Sequence, residues 1–288
     1  MGIEQRHEKR LDYIVWHQDI VTAAPTIDIE IFLANHGAKR EKPSKSVIYR
    51  WSRKRKLFKV HQEIVTWTAR DLEHFQIGDE HYIAVANHVR GKTRFFVRPS
   101  VGRQFEETQR ITTTGAYDWT HFDLDGYHFM AVANSFSGPP ARTTFIKSVV
   151  YFWQDGRFIP FQTIETTGAT DWEFFRVHNE FFLVVANAYN YGPQAAELAV
   201  DWEAFTVGSD HFLVVSNAQQ NPKQDGVEPT NTRSVIYRWQ GVEKFVPVHY
   251  LDTLPSADWE CFHVGGSVFL VYANAKGTIS QVYQVKLK

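Results

Sequence analysis

The chain carries five copies of one short pattern, and a unit that recurs is a building block before any single copy is a site. The copies are Asp71-Leu72-Glu73-His74-Phe75, Asp118-Trp119-Thr120-His121-Phe122, Asp171-Trp172-Glu173-Phe174-Phe175, Asp201-Trp202-Glu203-Ala204-Phe205 and Asp258-Trp259-Glu260-Cys261-Phe262. Each is followed, after a short polar turn, by an apolar run ending in Asn, at Asn87, Asn134, Asn187, Asn217 and Asn274. A second pattern, Ser46-Val47-Ile48-Tyr49-Arg50-Trp51, recurs at Ser148–Trp153 and Ser234–Trp239 and leads into Phe58–Ile64, Phe158–Ile164 and Phe245–Leu251. All these pieces are short, rich in β-branched and aromatic residues, and bounded by Gly, Asp, Asn or Pro, which predicts strands. Asp155-Gly156 and Gly265-Gly266 suit the positive dihedrals of tight hairpins.

The repeated Asp falls at 71, 118, 171, 201 and 258, in steps of 47, 53, 30 and 57 residues. Four strands in roughly 40 to 50 residues, repeated without helices, is the footprint of a propeller blade. The expected fold is therefore an all-β propeller formed by residues 1–288 as one domain. Six units are visible, giving six or seven four-stranded antiparallel blades with one truncated. The 30-residue step lacks a Ser-Val-Ile-Tyr-Arg-Trp hairpin, so the unit from Asp171 to Val200 is expected to hold two strands. Ile27–Asn35 is read as two compressed strands of the first unit. Asp12–Ile20 resembles the latter half of a unit and Ile279–Val285 a third strand, so the two ends are expected to complete one shared blade.

Hydrophobic residues make up 43% of the chain, which is ample for a core, and a net charge of -1 gives no global pull toward nucleic acid or membrane. No apolar run approaches the ~20 residues of a spanning helix. The single Cys261 excludes an internal disulfide and is read as a structural thiol. The opening Met1-Gly2-Ile3-Glu4-Gln5-Arg6 contains no hydrophobic signal segment, leaving a fragment of a longer chain or a cytoplasmic form as alternatives.

No nucleophile elbow, His-Glu-x-x-His, phosphate loop or metal-spaced Cys pair is present. No catalytic residue is expected. The 13 His residues are scattered through the units and are read as structural. If the Asp-Trp-Glu pattern opens the innermost strand of each blade, Asp71, Asp118, Asp171, Asp201 and Asp258 approach the central channel at one level. Their like charges then need pairing, protonation or a cation, and Ca²⁺ would accept several carboxylates. The competing reading has each Asp accept N–H groups in its own preceding turn. Trp119, Trp172, Trp202 and Trp259 are either sugar platforms or filler between blades, and the in-register series favours filler. The repeated Asn is expected to end its strand and bond its own backbone.

Specific recognition is expected where the units differ. The connections after Asn run from short (His88–Thr93) to long (Ser135–Lys147 and Ala218–Arg233) and share one rim. Candidate partner-binding residues there are Ser135, Arg142, Asn221, Lys223 and Asp225. A basic strip of Lys39, Arg40, Lys42 and Lys45 with Arg53, Lys54, Arg55 and Lys56 would contact an acidic partner or a sulfated glycan.

The alternation of Asp-Trp-Glu-x-Phe, Phe182-Leu183-Val184-Val185-Ala186-Asn187 and Ser234-Val235-Ile236-Tyr237-Arg238-Trp239 resembles the epilepsy-associated repeat, or epitempin repeat, over nearly the whole chain. This is the family of the leucine-rich glioma-inactivated proteins and of a thrombospondin-type laminin G domain protein. The resemblance implies a propeller, usually of seven blades, outside the cell or at its surface, that binds other proteins without catalysis. The implied function is a noncatalytic interaction propeller using rim loops. The alternative is a carbohydrate-binding or glycan-hydrolysing propeller using channel carboxylates and exposed aromatics.

Overall fold

The computed structural model describes residues 18–22, 29–35, 42–89, 92–98, 104–136, 143–188, 197–219, 232–274 and 280–287. They form 21 strands, with one 3₁₀ turn at Gly241–Glu243. The strands build six antiparallel sheets that follow one another along the chain. The first holds β1 (Gln18–Thr22), β2 (Ile29–Leu33), β3 (Ser44–Ser52) and β4 (Leu57–Thr66). The second holds β5 (Ala69–Ile77), β6 (Glu80–Asn87), β7 (Lys92–Arg98) and β8 (Glu106–Thr112). The third holds β9 (Ala116–Leu124), β10 (Tyr127–Asn134), β11 (Phe145–Gln154) and β12 (Arg157–Thr167). The fourth holds, among the described residues, β13 (Ala169–Val177) and β14 (Glu180–Asn187). The fifth holds β15 (Glu197–Val207), β16 (Asp210–Gln219), β17 (Thr232–Trp239) and β18 (Phe245–Thr253), and the last β19 (Ser256–Val264), β20 (Ser267–Asn274) and β21 (Gln281–Val285).

This is a β-propeller: each sheet is an up-and-down meander, and its first strand lies beside the first strand of the next. Five sheets have three or four strands, and the truncated fourth is the two-stranded unit expected from the 30-residue step. The first unit differs from its expectation. Ile29–Leu33 is one strand, and the inner position is taken by β1, which includes Gln18–Ile20. Those residues therefore begin a unit rather than finish one; Asp12–His17 lie outside the described residues. At the other end, β21 is a third strand as expected.

Two irregularities recur at fixed places. The inner strand bulges at Arg70, Tyr117, Thr170, Val200 and Ala257, one residue before each repeated Asp. The outer strand bulges at His61, Thr108, Phe161 and Val248. A bulge adds local twist, and twist is what allows blades to splay around an axis.

The core sits at the seams between blades, not inside any one sheet. Phe32, Ile48, Leu72 and Ile83 fill the seam between the first two blades. Phe75, Phe95, Trp119 and Tyr151 fill the next. Phe122, Val150 and Trp172 fill the third, and Phe205, Trp259 and Leu270 the last.

The repeated Asn bonds to neighbouring segments, and Asn134 does so through both ends of its amide. Its Oδ1 accepts from the turn entering the blade, as in Asn87 to Trp67 N (2.8 Å), Asn134 to Thr114 N (3.1 Å) and Asn187 to Thr167 N (2.8 Å). Its Nδ2 donates to the third strand of its own blade, as in Asn35 to Lys45 O (3.1 Å), Asn134 to Lys147 O (3.0 Å) and Asn217 to Arg233 O (2.7 Å).

Gly115 separates backbone conformation from crowding. Its φ is +63°, and a Cβ there would lie 2.5 Å from the Phe136 carbonyl oxygen; Gly78, at φ +59°, has open space around it. Gly78→Ala should cost about 1–2 kcal/mol from conformation alone. Gly115→Ala should cost clearly more in urea unfolding, and equal costs would remove the crowding account.

Candidate functional site: the carboxylate-lined channel

The inner strands face one another across the axis, so their inner edges lack a neighbouring strand to bond their N–H groups. The repeated carboxylates supply the acceptors, each from the preceding blade. Oδ2 of Asp71 accepts from Trp119 N (3.3 Å), Asp118 from Trp172 N (3.2 Å), Asp171 from Trp202 N (2.9 Å) and Asp201 from Trp259 N (2.9 Å). Two residues on, Glu73 accepts from His121 N (2.8 Å), Glu173 from Ala204 N (3.2 Å) and Glu203 from Cys261 N (2.9 Å). In the third blade Thr120 takes the Glu position and instead donates its hydroxyl to Trp172 O (2.6 Å). The own-turn reading of the Asp residues is thereby corrected: they reach the next blade.

The opposite face of each inner strand looks backward. The indole Nε1 of Trp119 donates to Thr93 Oγ1 (2.9 Å), that of Trp172 to Val132 O (3.1 Å) and that of Trp259 to Ser234 Oγ (3.1 Å), all in the preceding blade. These three Trp are buried, which makes them seam filler, not sugar platforms. Trp202, the first Trp after the truncated blade, has an enclosed Nε1 with no partner among the described residues.

Asp118, Asp171, Asp201 and Asp258 with Glu73, Glu173, Glu203 and Glu260 line a channel cavity of about 250 Å³. Asp71 is buried beside Trp119 and is not among its lining residues. The carboxylates border the lumen but are shielded from bulk solvent by the surrounding blades. Burial, reinforced by the charges of Asp118 and Glu173, holds the Asp171 carboxyl well above the usual range; Asp201 is raised by burial and by Asp258 and Asp171. Burial pushes Glu173 up to about 8 and Glu203 up to about 9, with neighbouring carboxylates adding to the shift. Protonation therefore relieves part of the repulsion. Among the described residues no three His, Cys, Asp or Glu side chains are arranged to hold a metal ion.

The remaining expected sites spread out. Arg53, Lys54, Arg55 and Lys56 form the exposed turn between β3 and β4, at the opposite end of that hairpin from Lys42 and Lys45. The described part of the basic strip is thus divided between the two rims, and Lys39 and Arg40 lie outside the described residues. Ser135 is buried at 1% exposure, and its N–H donates to Gly115 O (3.1 Å), so it anchors its loop and cannot face a partner. Arg142, Asn221, Lys223 and Asp225 lie outside the described residues. Ala218–Gln219 and Thr232–Arg233 belong to strands, which shortens the longest connection to residues 220–231.

Two His pairs and Cys261 pack within the blades. Burial and the neighbouring His128 push His121 down to about 4, and its Nε2 lies 3.2 Å from His128 Nδ1. A matching pair, His74 and His81, occupies the second blade at 3.1 Å. Burial and nearby Glu203 and Glu260 push the Cys261 thiol up to about 11, away from the thiolate a nucleophile needs.

The EPTP domain matches five times, at residues 57–98, 104–154, 157–194, 199–240 and 244–284, which together make up most of the chain. The chain belongs to the EPTP family. Its EPTP copies each start with the outer strand of one blade and continue into the next blade, except around the gap. Among the described residues, the 157–194 copy holds no third strand and the 199–240 copy no leading fourth.

Two similar curated proteins are the mouse and human thrombospondin-type laminin G domain and EAR repeat-containing proteins. The mouse protein is 38% identical over 329 residues, covering 91% of this chain and 43% of its own length. The human protein is 36% identical over 347 residues, covering 98% and 46%. The EPTP chain thus spans less than half the length of either relative. Among solved structures, a Lactobacillus plantarum protein matches with a TM-score of 0.60 at 11% identity, covering 90% of this chain and 78% of that one. A GH43 beta-xylosidase/alpha-arabinofuranosidase from a compost microbial metagenome matches at 0.53 and 9% identity, covering 96% and 92%. At such identities the likeness is one of fold alone.

Two measurements test the channel. Asp201→Ala strips Trp259 N–H of its acceptor and should cost about 1–3 kcal/mol in chemical denaturation, whereas Asp201→Asn keeps an acceptor oxygen and should cost less. The pH dependence follows from the raised carboxyls. Below about pH 4 both native and unfolded carboxyls hold their protons. As pH rises toward 8–9, the unfolded chain ionises first and stability falls, by at most about 1.4 kcal/mol per pH unit for each group. Glu203→Gln should flatten the decline between pH 5 and 9, and parallel profiles for wild type and variant would contradict these shifts.

Proposed function

We propose that this EPTP propeller is a noncatalytic interaction module that acts outside the cell or at its surface and binds a protein partner through its rim loops. The observation carrying this reading is that the repeated polar residues of the channel are engaged in joining blades. Asp71, Asp118, Asp171 and Asp201 each hold the next blade's N–H, and a catalytic pair would need to stand apart from such a series. What remains free to differ from unit to unit is the set of connections beyond the repeated Asn. A rigid ring with variable connections suits recognition.

A sulfated glycan is the second ligand class, supported by the exposed Arg53–Lys56 turn on the opposite rim. The relatives' names state repeat and domain content and no partner. A calcium ion in the channel belongs to the same proposal; Asp118, Asp171, Asp201 and Asp258 border one cavity, although no three described carboxylates stand in a metal-holding arrangement. Calcium should raise the melting temperature and a chelator lower it; identical curves would remove the ion from the proposal.

The test is binding of the purified chain to intact cells. Replacing residues 220–231 by a short Gly/Ser linker should abolish most binding at an unchanged melting temperature, since a surface connection contributes little burial. Prior protease treatment of the cells should remove the signal if the partner is a protein. Removal by heparinase alone, together with loss on Lys54→Glu and Arg55→Glu, would transfer the site to the basic turn.

A further inference from the structure

The truncated blade aims three kinds of group at one strand position that no strand among the described residues fills. The first is the outer edge of β14. Its two-residue turn at His178-Asn179 makes Val177 and Glu180 a bonded pair, so Phe181, Leu183 and Val185 turn their N–H and C=O groups outward. Among the described residues no strand pairs with that edge. The β14 residues Phe182–Val185 are partly exposed, while their β6 counterparts Tyr82–Val85 are buried.

The second is Asn187. In the blades of Asn35, Asn134 and Asn217 the side-chain amide donates to a third-strand carbonyl, always from the residue before the repeated Ser. Asn187 is exposed, and its blade offers no third strand among the described residues. The third is Trp202 Nε1. The equivalent indoles of Trp119 and Trp259 donate to a third-strand hydroxyl, Thr93 or Ser234, and that of Trp202 has no partner among the described residues.

We infer that this slot is a strand-acceptor site, which takes an extended segment of another polypeptide as the third strand of the fourth blade, antiparallel to β14. The mode is strand addition, in which main-chain bonds give affinity and alternating side chains give specificity. The intact blades define the segment's chemistry. It carries a Ser or Thr one residue before the position that pairs with Val185, as Ser234 precedes the Val235 that pairs with Val215. Its hydroxyl would accept from Trp202, and the preceding carbonyl from Asn187. The following residues are β-branched and aromatic, fitting between Phe152 and Phe161 on the third blade and Trp239 and Phe245 on the fifth. Trp239 and Phe245 already pack on Phe182, at 5.4 and 6.4 Å between ring centroids.

A second copy's β14 is a poor occupant. The edge lies about two strand spacings, roughly 10 Å, inside the outer strands of its neighbours. The same edge of another propeller is equally recessed, so the flanking blades collide before the strands meet. A free extended segment enters. This site is separate from the rim connections and does not rest on the function proposed above.

The probe is a synthetic peptide with the sequence of residues 232–239, Thr-Arg-Ser-Val-Ile-Tyr-Arg-Trp, titrated into the full chain by fluorescence anisotropy and by the indole resonance of Trp202, assigned with Trp202→Phe. Saturable binding with a shift of that resonance is expected. Replacing the peptide's Ser by Ala should weaken binding roughly 3- to 10-fold, the worth of one hydrogen bond. Against Trp202→Phe the two peptides should bind equally. A peptide N-methylated at the residues that pair with Leu183 and Val185 should not bind. No saturable binding, equal binding of the N-methylated peptide, or self-association of the chain with the Trp202 resonance shifted would each overturn the proposal.

Discussion

The fold depends on a joint between adjacent inner strands. One face of each strand offers a carboxylate to the next blade's backbone, and the other sends an indole into the blade behind. The inner edge of a blade would otherwise leave N–H groups without partners in a narrow, shielded space, at a cost of about 1–3 kcal/mol each. The carboxylates remove that cost but gather charge around the axis. The structure answers by raising their proton affinity, so that part of the ring is neutral where isolated carboxyls would be ionised. Stability and axial charge are therefore set by the same residues.

The seam also explains why the aromatic content is spent where it is. Phe75 stacks on His121 and Phe122 on Phe174, each at 4.7 Å between centroids across a seam. The Asp, Glu and Phe positions of the pattern share one face of the strand, since side chains alternate. One five-residue motif thereby supplies polar latch and apolar contact to the same neighbour. With so much of the motif committed to assembly, specificity is left to parts outside it.

Much of the fold was legible because the repeat is written in side chains that alternate on a pleat. Asp-Trp-Glu-x-Phe marked inner strands, the Asn-ending runs marked second strands, and the 30-residue step marked the short blade. The strands β7 and β8 were harder to see: Thr93-Arg94-Phe95 replaces the Ser-Val-Ile signature, and Glu106–Thr112 is mostly polar. The first unit misled because its inner strand, β1, carries no Asp-Trp-Glu. At the candidate site, the approach of five Asp to the channel was one of two readings the repeat left open, and four of the five line the cavity. Their bonding was not legible, because a sequence shows which residue bears an acceptor but not that the nearest orphan N–H belongs to the next blade. The role of Ser135 was misread for a related reason: a polar residue after a strand looks like loop surface until the glycine beneath it is seen.

The outer hairpin of a blade begins and ends on the same face of the ring, because the connection that enters the third strand and the turn that leaves the fourth both lie beside the repeated Asn. A hairpin attached in this way behaves as a cassette. Its removal joins two points that were already neighbours, and the contacts between successive inner strands from β1 to β19 continue unbroken around the axis. The alignments with the mouse and human relatives run over 329 and 347 residues, more than the 288 of this chain, so internal length differences separate these proteins. Gain or loss of whole outer hairpins is the kind of length change this architecture accommodates, since each deletion trades a pair of strands for an open groove without disturbing the ring that carries it.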